Sequence, residues 1–160
     1  LAKNEAYLKE VAKYTEQMKK LSKQEVVVGI PADKNKQHYG SAETNAGIGA
    51  IHEYGAPVVG IPQRSFLRLP LTLKAKEIFA LLKKDLKFSK IDTKKALGRL
   101  GAKGQSVVLE AFDTQGNGKW AELKPSTVRG RKKGSGEGTD KPLRDTGQLK
   151  QSITFEVRDA

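Results

Sequence analysis

At 160 residues the chain has the length of one ordinary domain and can bury a core unaided, and its lack of cysteine excludes disulfides and thiolate chemistry. Apolar residues supply 37% and charged residues 30%, and no apolar run approaches the roughly 20 residues that cross a bilayer, which excludes a helical membrane span. Lysine and arginine outnumber acids by 30 to 18, and the net charge of +12 favours polyanionic partners, either nucleic acid or the acidic face of another protein.

Tyr7, Val11, Tyr14, Met18 and Leu21 recur at alternating spacings of four and three, with Leu8 beside them and no proline over residues 3–23. This predicts an N-terminal helix over residues 1–23 with a narrow apolar stripe. Fewer than three heptads favour docking of the stripe on the chain's own domain over a two-helix seam. The β-branched run Glu25–Ile30, stopped by Pro31, predicts a strand, and residues 31–43 read as a polar loop. Thr44 is placed to cap a helix over Asn45–Tyr54 that ends at Gly55. Gly47 and Gly49 each cost that helix about 1 kcal/mol against alanine, so its backbone is expected to pack closely against something.

Leu71, Ala75, Ile78, Phe79, Leu82 and Leu86 make one helical face, with Pro70 in the first turn. Asp92 starts another helix to about Phe112, whose buried side carries Leu97, Leu100, Gly101, Gly104, Val107, Val108 and Ala111. Gly116-Asn-Gly118 breaks it. Pro125 opens a weak helical turn, and residues 133–142 are too polar to order themselves and read as a flexible loop. Thr146–Leu149 forms a turn, and Ile153, Phe155 and Val157 alternate with polar residues as a closing strand.

The expected fold is therefore α+β: an N-terminal helix over 1–23, then a single domain over 24–160. In it a small, mostly antiparallel sheet packs against three helices, with a flexible basic loop. Two strands alone are marginal, so a further strand among residues 55–69 or pairing across subunits is expected.

The residues give little support to catalysis. His52-Glu53 invites a metal or acid–base reading, but His38 is the other histidine of the chain and lies in a polar loop, short of the three or four ligands a site needs. Ser65, Ser126 and Ser152 lack a nucleophile elbow. Gly134-Ser-Gly-Glu-Gly138 lacks the Gly-Lys-Ser/Thr ending of a phosphate loop. Asp140 and Asp145 flank a mobile loop, a poor place to tune a carboxyl group. No catalytic, cofactor or metal residue is expected. Arg129, Arg131, Lys132 and Lys133 form a basic segment able to neutralise phosphates, without the aromatic interleaving of a single-strand platform. A basic, non-sequence-specific nucleic-acid-binding module is thus the alternative reading.

Two stretches carry the main functional signal. The first is Gly49-Ala-Ile-His-Glu-Tyr-Gly-Ala-Pro57 followed by Ile61-Pro-Gln-Arg-Ser-Phe-Leu-Arg68. The second is Trp120-Ala-Glu-Leu-Lys-Pro-Ser-Thr127, then Pro142-Leu-Arg-Asp-Thr-Gly-Gln-Leu149 with Ser152-Ile153. In this order they resemble the neck, head–tail joining and tail-completion proteins of tailed bacteriophages, over about residues 25–157. The resemblance implies an α+β structural subunit that forms a ring, of six copies, at the head–tail junction or tail end. It implies a virion protein assembled in the host cytoplasm, with neighbouring connector, tail terminator and tail tube proteins as partners. Non-specific contact with DNA in the channel would accompany them.

Within that reading, Gly55, Pro57, Gly60 and Pro62 make a stiff loop that presents Arg64 and Arg68 to a neighbouring subunit. Whether the segment after the loop is helical or extended, both arginines are expected on one surface, with Leu67 inside. Arg129, Arg131, Lys132 and Lys133 belong to an adaptable arm over residues 128–142. Trp120 and Phe155 are expected in the core, and Phe66, Gly147 and Leu149 complete the structural signature.

Overall fold

The computed structural model describes residues 2–38, 40–87, 92–132 and 140–160. Helix α1 (Ala2–Leu21) turns through Ser22 and Lys23 into strand β1 (Gln24–Gly29), and a polar loop leads to α2 (Asn45–Tyr54). The Thr44 hydroxyl accepts the Gly47 N–H at 3.2 Å, the cap that the sequence predicts. Helix α3 (Arg68–Lys87) and helix α4 (Thr93–Asp113) follow, then the interrupted turn α5 (Gln115–Gly118), α6 (Pro125–Lys132), α7 (Gln148–Ser152) and strand β2 (Thr154–Asp159). The fold is α+β, as expected, and it is mostly helical.

Strands β1 and β2 pair antiparallel, with Gln24 opposite Asp159 and Gly29 opposite Thr154. Among the described residues no third strand joins them, and residues 55–69 contribute one bridge, between Ala56 and Ile61. The sheet is stabilised instead by lying on α4, which packs against both strands and, on another side, against α3. Helix α4 thus makes the main contact with the sheet, and α1 adds a smaller one against β1. Gly101 makes the approach possible: a Cβ there would overlap the Phe155 ring. The absent side chain lets β2 settle against the helix backbone.

The core falls into two clusters. Phe66, Val108, Phe112, Leu143, Leu149 and Ile153 form one, with Trp120 packed at its edge. Ile78, Leu97, Leu100 and Val107 form the other, with Leu21, Val26 and Val157 against it. Trp120 is half-buried rather than enclosed, its ring meeting Phe112 edge-on at 6.0 Å, and Phe155 is also half-buried.

The expectation that the α1 stripe docks on its own domain is corrected. Leu21 reaches the second cluster, but residues 4–16 are exposed all round. Tyr7 is 65% and Tyr14 51% exposed, with Leu8 and Val11 open beside them. The short turn into β1 fixes the last turn of α1 against the body, and among the described residues the earlier turns find no surface to cover. The loop expected over residues 133–142 lies outside the described residues as far as 139. Residues 128–132 of the proposed arm are helical, as the end of α6.

Candidate functional site

The first signature stretch folds into a lock around one carboxylate. Gly55 ends α2 with φ of 77°, and a Cβ there would come within 2.9 Å of the Gln63 backbone nitrogen, so glycine is required by both conformation and space. The chain then closes a small loop: Ala56 and Ile61 exchange backbone hydrogen bonds of 2.9 and 3.0 Å around the turn Pro57–Val59. Beyond Pro62, the Arg64 N–H returns to the His52 carbonyl at 2.7 Å, and the Gln63 amide donates to the Glu53 carbonyl at 3.0 Å.

Glu53, 5% exposed, lies beneath this loop. Its carboxylate accepts the Ser65 hydroxyl at 2.5 Å and the N–H groups of Phe66, Leu67 and Arg68 at 2.9, 3.0 and 3.1 Å. The Ser65 hydroxyl in turn accepts the Leu69 N–H at 3.0 Å. These are amide groups of the entry and first turn of α3, which have no carbonyl partner within the helix. A carboxylate from α2 therefore caps α3 and meets the positive end of its dipole. Arg68 closes the lock from outside, its Nε 3.8 Å from the carboxylate and its guanidinium over the Tyr54 ring at 5.0 Å.

Arg64 corrects the sequence reading most clearly. It is 5% exposed, and its Nε and terminal nitrogen donate to the Ala121 and Glu122 carbonyls at 2.9–3.1 Å. Burial, then the nearby Arg131 charge, lowers its pKa from the usual arginine value. Residues 66 and 67 form a bend, and Arg64 turns inward to hold the segment after Trp120 while Arg68 stays exposed. The two arginines share no surface. Arg131 is likewise engaged within the chain: it donates to the Lys141 carbonyl at 3.0 Å and pairs with Asp145 at 3.6 Å, fastening α6 to the segment before α7. Arg129 is exposed on α6. Lys132 ends that helix, and Lys133 lies outside the described residues.

The second stretch meets the first in the core. Phe66 and Phe112 have ring centroids 5.0 Å apart, Trp120 abuts Phe112, and Leu149 from α7 completes the cluster behind the left-handed Gly147. Pro57 and Pro62 are exposed on the loop. His38 and His52, unrelated in sequence, line one small cavity of about 150 Å³ with Arg131 and Asp145. Burial foremost, then Arg64, Arg131 and His38, lowers the pKa of His52 to about 4. Its Nδ1 is buried without a hydrogen-bond partner among the described residues, whereas the His38 ring bonds to Asn45 at 2.9 Å. Among the described residues no group of three or more His, Asp or Glu could hold a metal ion.

Beside exposed polar residues such as Gln63 and Arg68, the surface carries uncovered apolar side chains. Val58 at the loop tip is fully exposed, with Val59 beside it. On α3, Leu69, Leu73 and Phe79 are exposed. Leu69 and Leu73 border a cleft of about 530 Å³ that runs between α3 and α4 to Trp120. The α1 stripe is a third such face. No family model, curated protein or solved structure matches the chain.

Proposed function

We propose that this chain is a structural subunit of a tailed-phage virion. In this reading it forms a ring, of six copies, at the head–tail junction or tail end, beside connector, terminator and tube proteins. The likeness of the two signature stretches supplies the family. The observation that carries the assembly reading is uncovered apolar surface in three separate places: the α1 stripe, the 57–59 turn, and the outer side of α3. A chain that works alone rarely leaves several such faces in water, and apolar faces rimmed by polar residues mark contacts with other proteins. The Glu53 lock supports the same reading, because it stiffens the loop that carries Val58 and Val59.

Native mass spectrometry and electron microscopy of the purified protein test this. A closed ring of defined copy number is the expected result. A chain that stays monomeric at high concentration, and binds duplex DNA with an affinity falling steeply in salt, would overturn it in favour of a basic nucleic-acid-binding module. The net charge of +12 and the exposed Arg129 make that the second reading.

A further inference from the structure

Building on the ring reading, we propose that neighbouring copies are joined by a helix in a groove: the apolar stripe of α1 seats in the α3–α4 cleft of the next copy. The stripe is convex and uncovered. Tyr7, Leu8, Val11 and Tyr14 lie along about 10 Å of helix, on a segment whose surface is otherwise exposed. The cleft is its concave counterpart, with Leu69, Leu73, Ala111 and Trp120 along an apolar wall.

Charge fits as well. The cleft rim carries Arg68, Lys74 and Lys119 against Glu110. Between residues 4 and 17 the charged side chain nearest the stripe is Glu10, while Lys9 and Lys13 point further round the helix. The two tyrosines suit an occupant whose rings enter an apolar wall while their hydroxyls remain at a polar edge, here Gln63, Thr114 and Asn117.

A second copy is the occupant because each chain carries both the stripe and the cleft, and among the described residues its own stripe leaves its own cleft open. Head-to-tail seating covers both on every copy once the ring closes. Pairing α1 with α1 would stop at a closed pair and leave Leu69, Leu73 and Trp120 in water.

Two full-length variants test the contact. One carries Tyr7→Ser, Val11→Ser and Tyr14→Ser. The other carries Leu73→Glu, with Leu69→Glu as its replacement if that chain does not fold by circular dichroism. All of these positions are exposed. Each variant alone should be monomeric, association being weakened roughly thirty-fold or more. Mixed one to one, they should form heterodimers and nothing larger, because one good stripe meets one good cleft. Emission from Trp120, the single tryptophan, should shift to the blue on mixing. Dimers of the Leu73→Glu chain alone would overturn the proposal in favour of α1 pairing. No association on mixing would also overturn it. Rings that persist in both variants would overturn this contact while the ring reading stands, whereas a monomeric wild type would sink the ring reading itself.

Discussion

Glu53 shows why a buried charge can be retained in a small protein. Taking a carboxylate out of water costs several kcal/mol, and here four hydrogen bonds and the start of a helix offset that cost. Glu53→Ala should therefore destabilise by about 3 kcal/mol in urea unfolding. Arg68→Ala, which removes an exposed cation, should cost at most about 1 kcal/mol. Equal losses would mean that the ion pair, rather than the amide cap, holds the lock. His52 sets a pH dependence. With a folded pKa of about 4 against an ordinary 6.5, the unfolded chain binds a proton that the folded chain refuses between those values. Stability is then undiminished above 6.5 and falls as pH drops toward 4, by on the order of 2 kcal/mol from this residue. His52→Gln should flatten that part of the wild-type profile, and an unchanged acid limb would remove His52 from the account.

At the scale of elements, two of the three glycines of α4 have opposite tasks. Gly101 lies under the Phe155 ring, so Gly101→Ala forces the strand off the helix and should cost about 1–3 kcal/mol. At Gly98 a Cβ would meet nothing within 4 Å, so Gly98→Ala should stabilise by about 0.5–1 kcal/mol through helix propensity. Chemical denaturation of the two variants in parallel checks the pair, and the same sign for both would refute the packing argument. Periodicity made the long helices legible, and cap chemistry placed α2 to the residue. The Pro70 signal also held, because α3 starts at Arg68 and proline sits in its first turn. Its capping partner was not legible, since Glu53 lies on another helix and reaches α3 only through the fold.

For the whole molecule, the uncovered faces tie stability to association. If the α1 stripe and the α3 face are buried between copies, the midpoint of thermal unfolding should rise with protein concentration. Calorimetry over a wide concentration range measures this, and an invariant midpoint would mean that the folded monomer is the stable species. The charge is spread over α1, α3, α4 and α6. Part of it is spent on clasps such as Arg99 to Asp85 at 3.0 Å and Lys103 to Glu77 at 2.6 Å.

The sequence by itself determined the elements, their order and the α+β class, because helix and strand periods, proline positions and glycine stops are local properties. It also marked Phe66, Trp120 and Leu149 as residues of one motif. Tertiary structure alone decided where charges and apolar stripes point. Arg64 turns inward because its acceptors, the carbonyls of Ala121 and Glu122, lie 57 and 58 residues away in sequence. The α1 stripe stays open because periodicity records an apolar face but not what covers it, and among the described residues nothing in its own chain reaches Tyr7 or Tyr14 closely enough to bury them.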